Sequence, residues 1–303
     1  MNVKTQFSIK DLEHLSGIKA HTIRIWEKRY NLLTPQRTDT NIRHYDIDNL
    51  KRLLNVTFLY NEGHKISKIA NLSEADIQEL VESIAINQQD EIAIKDFKSA
   101  MFDFDEALFQ KTYNTLLATK TFRHVFFNVF IPLLNEIGIL WQTSTIDPCH
   151  ESFISELLKR KLIVAIEQEE QVIENSNDPL FVLFLPYNEI HEMGLLYSNY
   201  ELKAAGYKTL YFGANTPLES LKTIQNSNKE VIFVTYITIQ PEGKDILDYL
   251  HEFQETTCNN TSATLWLQGA KPQKIKASQV PPNTHIIKNL QDFITKLEGL
   301  RTK

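Results

Sequence analysis

Apolar positions near the start of the chain recur at helical spacing in two short segments, residues 9–15 and 20–29, with Gly17 between them. The second segment turns Ile23 and Trp26 inward and leaves mostly polar and basic side chains outward. Two short helices joined by a tight turn, the second polar and basic, are what a helix-turn-helix needs to enter the major groove of DNA.

A polar loop over residues 32–45 comes next and predicts two short extended pieces, which would form a wing beside the helix-turn-helix. Asp46 can cap a further helix over residues 47–61, which Gly63 ends, and residues 66–69 begin another short helix. Guanidinium groups on such a wing would contact DNA phosphates, which contribute affinity without reading sequence.

The middle of the chain, residues 74–177, has no convincing strand pattern and predicts a bundle of four or five helices. These helices are predicted over residues 74–86, 91–101, 105–117, 122–140 and 148–172. Trp141 ends one of them, and two interpretations stay open for it. It is either a core aromatic with its N–H satisfied locally, or a side chain that faces a flat or apolar ligand held between the bundle and the next domain.

From residue 178 strands and helices alternate, which predicts a Rossmann-like, doubly wound sheet of about five parallel strands. The predicted strands cover residues 180–185, 209–212, 231–236, 264–267 and 285–287, and the helices cover 193–205, 217–226, 243–255 and 290–300. No GxGxxG or P-loop motif occurs, so a nicotinamide or ATP site has no support.

The fold class is therefore multidomain α and α/β. We expect a winged helix-turn-helix DNA-binding domain over residues 1–75, a helical bundle over 76–178 and an α/β domain over 179–303.

His191 is the strongest candidate for chemistry, because it lies in the loop that follows the apolar strand over residues 180–185. The carboxyl ends of strands are where open α/β sheets bind their ligands. Glu189, two positions earlier, can accept one ring N–H and leave the other ring nitrogen free for a metal. Gly194 lets a large group approach the backbone. The alternative is a solvated loop histidine.

Charge is distributed unevenly along the chain, whose net charge is −6. Residues 1–73 carry 12 Lys and Arg against 7 Asp and Glu, a net charge of +5, which leaves −11 for the remainder. A basic amino-terminal unit on an acidic body indicates a nucleic-acid contact confined to one end.

Composition is that of a globular protein, with 42% hydrophobic residues. The first residues lack the apolar core of a signal peptide, and the most apolar stretch, residues 125–141, is broken by polar residues and Pro132. We therefore expect a cytoplasmic protein with no membrane partner. Cys149 and Cys258 are isolated, which excludes a zinc cluster and predicts reduced packing residues.

The first 73 residues resemble the winged helix-turn-helix of MerR-family transcriptional regulators. The resemblance rests on Thr22-Ile-Arg-Ile-Trp-Glu-Lys-Arg-Tyr30, Leu33-Thr-Pro35, Arg37, Arg43-His-Tyr45 and Asp48-Asn-Leu-Lys-Arg52. It implies a dimer on a pseudo-palindromic, double-stranded promoter element. By this resemblance Thr22, Arg24 and Tyr30 belong to the recognition-helix region. The resemblance also assigns Arg37, Arg43 and Tyr45 to the wing and its contacts with the DNA backbone.

A second resemblance joins Glu189-Ile-His-Glu-Met-Gly194 to the Asp-x-His-x-x-Gly signature of cobalamin-binding domains of the methionine-synthase type. Thr235-Tyr-Ile237 stands near the Ser-x-Leu of that family, and Gly269-Ala270 stands at its Gly-Gly. The resemblance implies that His191 is the lower axial ligand of cobalt and Glu189 its partner. Gly194, Thr235 and Gly269 would line a slot for the displaced nucleotide tail.

The helical segment with Trp141 and Glu151 resembles the bundle that covers the upper face of the cofactor. Light-dependent MerR-type repressors of carotenoid synthesis carry Trp, nine residues, then Glu-His, whereas this chain has Ser152 at the histidine position. His150 lies about 200° around the helix from Ser152 and cannot replace that histidine without remodelling. Two smaller departures are Glu189 for aspartate and Ala270 for the second glycine.

The combined prediction is a DNA-binding transcriptional regulator, expected to repress, whose association as a dimer or tetramer and whose operator binding are controlled by cobalamin. Adenosylcobalamin is the expected form, and the response to light stays open. One alternative keeps DNA binding but makes the α/β domain a cofactor-free surface for a protein partner. Another is a corrinoid methyl-carrier enzyme, against which the DNA-binding unit argues.

Overall fold

The computed structural model describes residues 6–38, 41–84, 89–169, 178–226, 230–258 and 261–301. The chain divides into two compact units, residues 1–158 and 159–303. The winged helix-turn-helix and most of the helical segment share the first unit, and the predicted division into three domains stays a prediction.

The first unit contains helices and one short pair of strands. Its helices are α1 (Ile9–Ser16), α2 (Ala20–Tyr30), α3 (Ile47–Asn61), α4 (Ile66–Ile69), α5 (Glu74–Ile84), α6 (Gln89–Asp103), α7 (Glu106–Leu117), α8 (Phe122–Val125) and α9 (Ile131–Gln142). A π-helical turn, Phe126–Phe130, joins α8 to α9, and α10 (Pro148–Gln168) contains the boundary between the units. Strands β1 (Gln36–Arg37) and β2 (Arg43–His44) pair antiparallel as the wing.

Local signals account for these boundaries. Ser8 caps α1 in a capping box with Asp11, because each side chain accepts a hydrogen bond from the other residue's backbone N–H. Gly17 ends α1 with a φ of 74°, a left-handed conformation that glycine adopts without strain. Asp46 caps α3 as predicted. The predicted winged helix-turn-helix is confirmed.

Phenylalanine side chains fill the helical bundle. Phe97 of α6 contacts Phe109 of α7, with ring centroids 4.8 Å apart, and Phe130, at 5.9 Å. Of the described helices, the continuous run Phe122–Gln142 is apolar and long enough to cross a membrane by length and composition alone. Its residues Leu133 and Ile137 are buried, and a core helix of a globular bundle meets the same criteria.

The second unit is a sheet of five parallel strands, in the order β4-β3-β5-β6-β7. The strands are β3 (Leu180–Phe184), β4 (Thr209–Gly213), β5 (Val231–Tyr236), β6 (Thr264–Gln268) and β7 (Thr284–Ile286), and the helices are α11 (Met193–Ala204), α12 (Leu218–Leu221), α13 (Ile246–Phe253) and α14 (Leu290–Arg301). Side chains of α11 and α14 pack on one face, and those of α12 and α13 on the other. The predicted doubly wound sheet is confirmed.

Strand order reverses at β3, because the chain goes from β3 to one neighbour, β4, and then returns to the other side as β5. The loops after β3 and β5 therefore leave the same edge of the sheet in opposite directions and border a crevice. Residues 185–192 and 237–243 form these two loops.

The predicted boundaries differ from the observed ones mainly at element ends. Helix α6 begins at Gln89, and α10 ends at Gln168. The predicted ends of two helices, residues 85–86 and 170–172, lie outside the described residues. Helix ends fray, and hydrophobic periodicity does not specify them.

We predict that Gly269→Ala destabilises the second unit by about 2 kcal/mol or more, because a Cβ there would force backbone movement. Gly269 has a φ of 106°, and its Cβ would lie 2.2 Å from the carbonyl oxygen of Ile237. Gly299→Ala is the matched control, since a Cβ on this helical glycine meets nothing within 4 Å. Urea unfolding measures both variants, and equal stability of the two would contradict the prediction.

Candidate functional site

Glu189 joins the two loops that border the crevice. Its side chain is fully buried, and its carboxylate accepts hydrogen bonds from three backbone N–H groups. The donors are His191 at 2.9 Å, Thr238 at 2.6 Å and Ile239 at 3.2 Å. One carboxylate after β3 thus holds two residues that follow β5.

The charge of Glu189 is maintained by these donors. Burial by itself would raise the pKa of this carboxyl group, but the hydrogen bonds from the backbone N–H groups of Thr238 and His191, and from their side chains, lower the pKa below its ordinary value. Glu189 is therefore an anion at neutral pH, although it is inaccessible to water.

The anion fixes the tautomer of His191. Nδ1 of His191 lies 2.6 Å from Oε1 of Glu189, and because a carboxylate only accepts, Nδ1 carries the proton. Nε2 takes no part in this hydrogen bond, and the side chain is 53% exposed. The geometry is that of an imidazole oriented to bind a metal through Nε2.

Thr238 is a third member of this cluster, and sequence reasoning missed it. Its hydroxyl oxygen lies 2.9 Å and 3.0 Å from the two carboxylate oxygens of Glu189 and 2.6 Å from Nδ1 of His191. The signal in the sequence was a hydroxyl residue two positions past the end of an apolar strand. The contact requires knowing that β3 and β5 are neighbours.

Glu192 anchors the other end of the same loop. It accepts a hydrogen bond from the Tyr211 hydroxyl at 2.8 Å and pairs with Lys159 of α10 at 2.5 Å. Sequence reasoning did not single out this carboxylate either. The loop that carries His191 is therefore held at both ends by charged hydrogen bonds.

The residues predicted to line a tail slot do not share one open space. A Cβ on Gly194 would lie 2.5 Å from Cε2 of Tyr236, so the aromatic ring already occupies the space that this glycine leaves. At Gly269 the backbone of Ile237 occupies the space that a side chain would need. Thr235 is buried and packs toward the α12 and α13 side of the sheet, since its strand neighbours alternate between the two faces.

In the helical bundle, Trp141 near the end of α9 is 54% exposed, so it is not a core aromatic. Glu151 is half-buried and Ser152 is exposed on α10. His150 is fully buried and stacks on Phe104, with ring centroids 4.9 Å apart and an interplanar angle of 14°. His150 is therefore a packing residue and does not take the place of the missing histidine.

The predicted DNA-contacting residues divide into exposed and buried ones. Arg24 on α2 and Arg37 on the wing are exposed, and Thr22 and Tyr30 are partly exposed. Tyr45 is fully buried, which corrects its assignment as a group presented to the DNA backbone. The motif alone could not show that this side chain is buried.

Glu27 connects the recognition helix to the wing. It accepts a hydrogen bond from the Tyr45 hydroxyl at 2.7 Å and pairs with Nε of Arg43 at 2.9 Å. Burial and the neighbouring carboxylate raise the pKa of Tyr45, so the phenol stays protonated as the donor. Sequence reasoning missed Glu27, which orients Arg43 beside α2.

The winged helix-turn-helix and the bundle are in direct contact within the first unit. Phe7 pairs with the backbone of Tyr45 through two hydrogen bonds, and its ring meets Phe102 of α6 at 5.8 Å. Phe102 in turn contacts His150 of α10 at 5.6 Å. Packed rings thus lead from the start of α10 to the wing.

A second connection runs through the loop between α9 and α10. Oγ1 of Thr145, which is fully buried, lies 3.3 Å from Nδ1 of His14 on α1. It also lies 2.8 Å from the hydroxyl of Thr143. This loop joins the helix that carries Trp141 to the helix that carries Glu151.

Two segments of the chain match known protein families. Residues 7–76 match the family described as MerR HTH family regulatory protein. Residues 93–165, which run from α6 into α10, match the family described as B12 binding domain.

Two curated relatives from Myxococcus xanthus align with most of the chain. The HTH-type transcriptional repressor CarH is 27% identical over 225 residues, which cover 71% of this chain and 73% of that protein. The repressor CarA is 24% identical over 219 residues, which cover 71% and 70%.

A solved structure, the monomethylamine corrinoid protein of Methanosarcina barkeri, has a TM-score of 0.55 at 14% identity. It covers 70% of this chain and 99% of that chain, and it shows the fold alone. Taken together, the family matches and the relatives show a cobalamin-responsive, DNA-binding regulator that is similar to CarH.

Proposed function

We propose that this cobalamin-responsive, DNA-binding regulator holds the cobalt of cobalamin through Nε2 of His191. The observation that carries the proposal is the buried Glu189 carboxylate, which fixes the Nδ1–H tautomer of His191 and leaves Nε2 accessible. Bound cobalamin would supply a cobalt centre, which His191 would hold through Nε2 while Glu189 and Thr238 keep the ring in position.

The surroundings of His191 support a macrocyclic ligand. Ile190 is 78% exposed, and Tyr187 and Phe212, at the same carboxyl edge of the sheet, are also exposed apolar side chains. Apolar groups around one metal-binding nitrogen suit the underside of a large ring better than a hydrated ion. The imidazole and its partners therefore fit cobalamin, whereas the space beside Gly194 is filled by Tyr236.

Adenosylcobalamin is the form we propose, and Trp141 and Glu151 are proposed as contacts of the cofactor because their segment resembles the bundle that covers it in related proteins. An exposed indole that is not used in the bundle core is suited to pack on an apolar upper group. Ser152 supplies no imidazole to the upper face, so control by occupancy of the site is proposed in place of exchange with a second histidine. The alternative of a cofactor-free surface for a protein partner leaves the geometry of Glu189 and His191 without a role.

DNA binding is assigned to α2 and the wing, with Arg24 reading base edges and Arg37 and Arg43 contacting phosphates. We propose a cytoplasmic repressor that binds a pseudo-palindromic promoter as a dimer or tetramer. Corrinoid loading would favour one assembly over another, and only such a difference can change DNA affinity. The curated relatives are named as repressors, which favours this role over that of a methyl carrier.

We expect His191→Ala to weaken binding of hydroxocobalamin by more than about 100-fold and Glu189→Gln by about 10- to 100-fold, since the partner of a metal-bound imidazole contributes less than the imidazole itself. Absorbance titration measures both affinities. His285→Ala, an exposed histidine on β7, is the control. Wild-type affinity in His191→Ala would remove the axial-ligand assignment.

Arg24→Ala should weaken binding to an operator selected from a random duplex pool by about 1–3 kcal/mol, the usual value of a side chain that reads a base edge. Binding to unrelated duplexes should change much less, because those complexes depend on phosphate contacts. Fluorescence anisotropy at fixed salt compares the two. Lys276→Ala, an exposed lysine of the second unit, controls for charge. An equal loss on both duplexes would place Arg24 on the phosphates.

His14→Ala should reduce the effect of cobalamin on operator affinity by about 0.5–1.5 kcal/mol, the net value of a hydrogen bond, because it removes the contact with Thr145. The measurement is operator affinity with and without hydroxocobalamin. His64→Ala, which lies after α3, is the control. An unchanged difference between the loaded and unloaded affinities would show that the α9–α10 loop does not couple the sites through His14.

A further inference from the structure

A groove in the first unit lies between the winged helix-turn-helix and the helical bundle. It is lined by α1 and α3 on one side and by α6 and α9 on the other, and its volume is about 510 Å³, which is within the range of small-molecule sites. Helix α3 turns a single face to the groove, because its lining residues recur at helical spacing. These residues are Leu54, Thr57, Phe58 and Asn61.

Apolar side chains make up much of the groove. Leu54, Ile94 of α6 and Leu140 of α9 are buried, whereas Ile139 of α9 is 57% exposed. Covering the exposed isoleucine with an apolar ligand would be favourable, because it removes apolar surface from water. The groove therefore suits a ligand that is mostly apolar.

The charged side chains of the groove balance one another. Nζ of Lys98 on α6 lies 2.7 Å from Oε2 of Glu136 on α9, and Nζ of Lys95 donates to Oδ1 of Asn55 on α3 at 2.7 Å. The lining contains two lysines and two glutamates, since Glu91 also belongs to it. A charged ligand would add an uncompensated charge to this surface, which is costly, so the groove favours an uncharged one.

Thr57 is a buried polar group that the protein leaves unsatisfied in this groove. It is 7% exposed, and its hydroxyl has no hydrogen-bond partner among the described residues. A helical threonine can donate to the carbonyl oxygen of the preceding turn, as Thr115 of α7 does to Lys111 at 3.0 Å. Because a buried hydroxyl without a partner is costly, a ligand that forms a hydrogen bond with Oγ1 of Thr57 would remove that cost.

We infer that this groove is a second effector site, which binds an uncharged, mostly apolar small molecule that forms a hydrogen bond with Thr57. Such a molecule would contact the winged helix-turn-helix and the bundle at once, so its occupancy would influence how the DNA-binding elements pack. The site is independent of cobalamin, because every lining residue belongs to the first unit and His191 belongs to the second.

N-Phenyl-1-naphthylamine is the probe, because it is uncharged, has two apolar ring systems and carries one N–H donor. Equilibrium dialysis against the whole chain measures its affinity. Thr57→Val removes the hydroxyl and should weaken binding by about 2- to 10-fold, the usual effect of one hydrogen bond. Thr57→Ser keeps the hydroxyl, and its affinity should stay within about twofold of wild type.

Ile139→Glu places a charge at the exposed part of the groove and should weaken probe binding by at least about tenfold. Ile163→Glu is the matched control, since Ile163 of α10 is also exposed and lies outside the groove. Urea unfolding checks that the variants fold. Thr57→Val should not lower the midpoint, because it removes a buried hydroxyl that has no partner in the free protein.

Operator affinity tests the effector role. Saturating probe should change the affinity for a selected operator by at least about twofold, and operator should change the probe affinity by the same factor, because linkage between two sites is reciprocal. Fluorescence anisotropy of a labelled operator and equilibrium dialysis of the probe measure the two effects.

Each of four results would overturn the inference. Probe binding that is unchanged in both Thr57→Val and Ile139→Glu would place the probe elsewhere. Competitive displacement by hydroxocobalamin would place it in the crevice beside His191 and leave the proposed function standing. A probe affinity that falls as protein concentration rises would show that a second copy of the chain covers the groove. Equal operator affinity with and without probe would remove the effector role.

Discussion

A buried carboxylate without enough donors would cost several kcal/mol, and this constraint organises the site at the carboxyl edge of the sheet. Glu189 satisfies this constraint by accepting hydrogen bonds from backbone N–H groups of its own loop and of the loop after β5. Because those donors are fixed in direction, the two loops are fixed with them. The orientation of His191 follows from the same network, so removal of the charge would loosen the site and the strand connection together.

In the first unit, too, one carboxylate joins two elements by accepting hydrogen bonds from both. Glu27 on α2 receives Tyr45 and Arg43 from the wing, so the recognition helix and the wing keep one relative position. Phe7 extends this arrangement, since its backbone pairs with Tyr45 while its ring packs on Phe102 of the bundle. A displacement at the bundle would therefore be transmitted to the wing through packed rings and backbone hydrogen bonds, which deform little.

Elements of the fold were predictable from the sequence because their signals are local. The five strands, the capping residues Ser8 and Asp46 and the position of His191 after a strand all depend on neighbours within a few residues. Contacts that depend on strand order were not predictable. Thr238 reaches Glu189 only because β3 and β5 are adjacent, and the burial of Tyr45 depends on the pairing with Phe7.

The glycines of the cobalamin motif show why a matched residue does not by itself define a binding space. Gly269 is needed for the approach of the Ile237 backbone and Gly194 for the ring of Tyr236, and both reasons hold with no ligand present. Both glycines are therefore explained by close packing of the protein against itself, and neither is evidence of a space for a ligand. Support for a ligand comes instead from Glu189 and His191, because the buried carboxylate orients an imidazole whose side chain is 53% exposed.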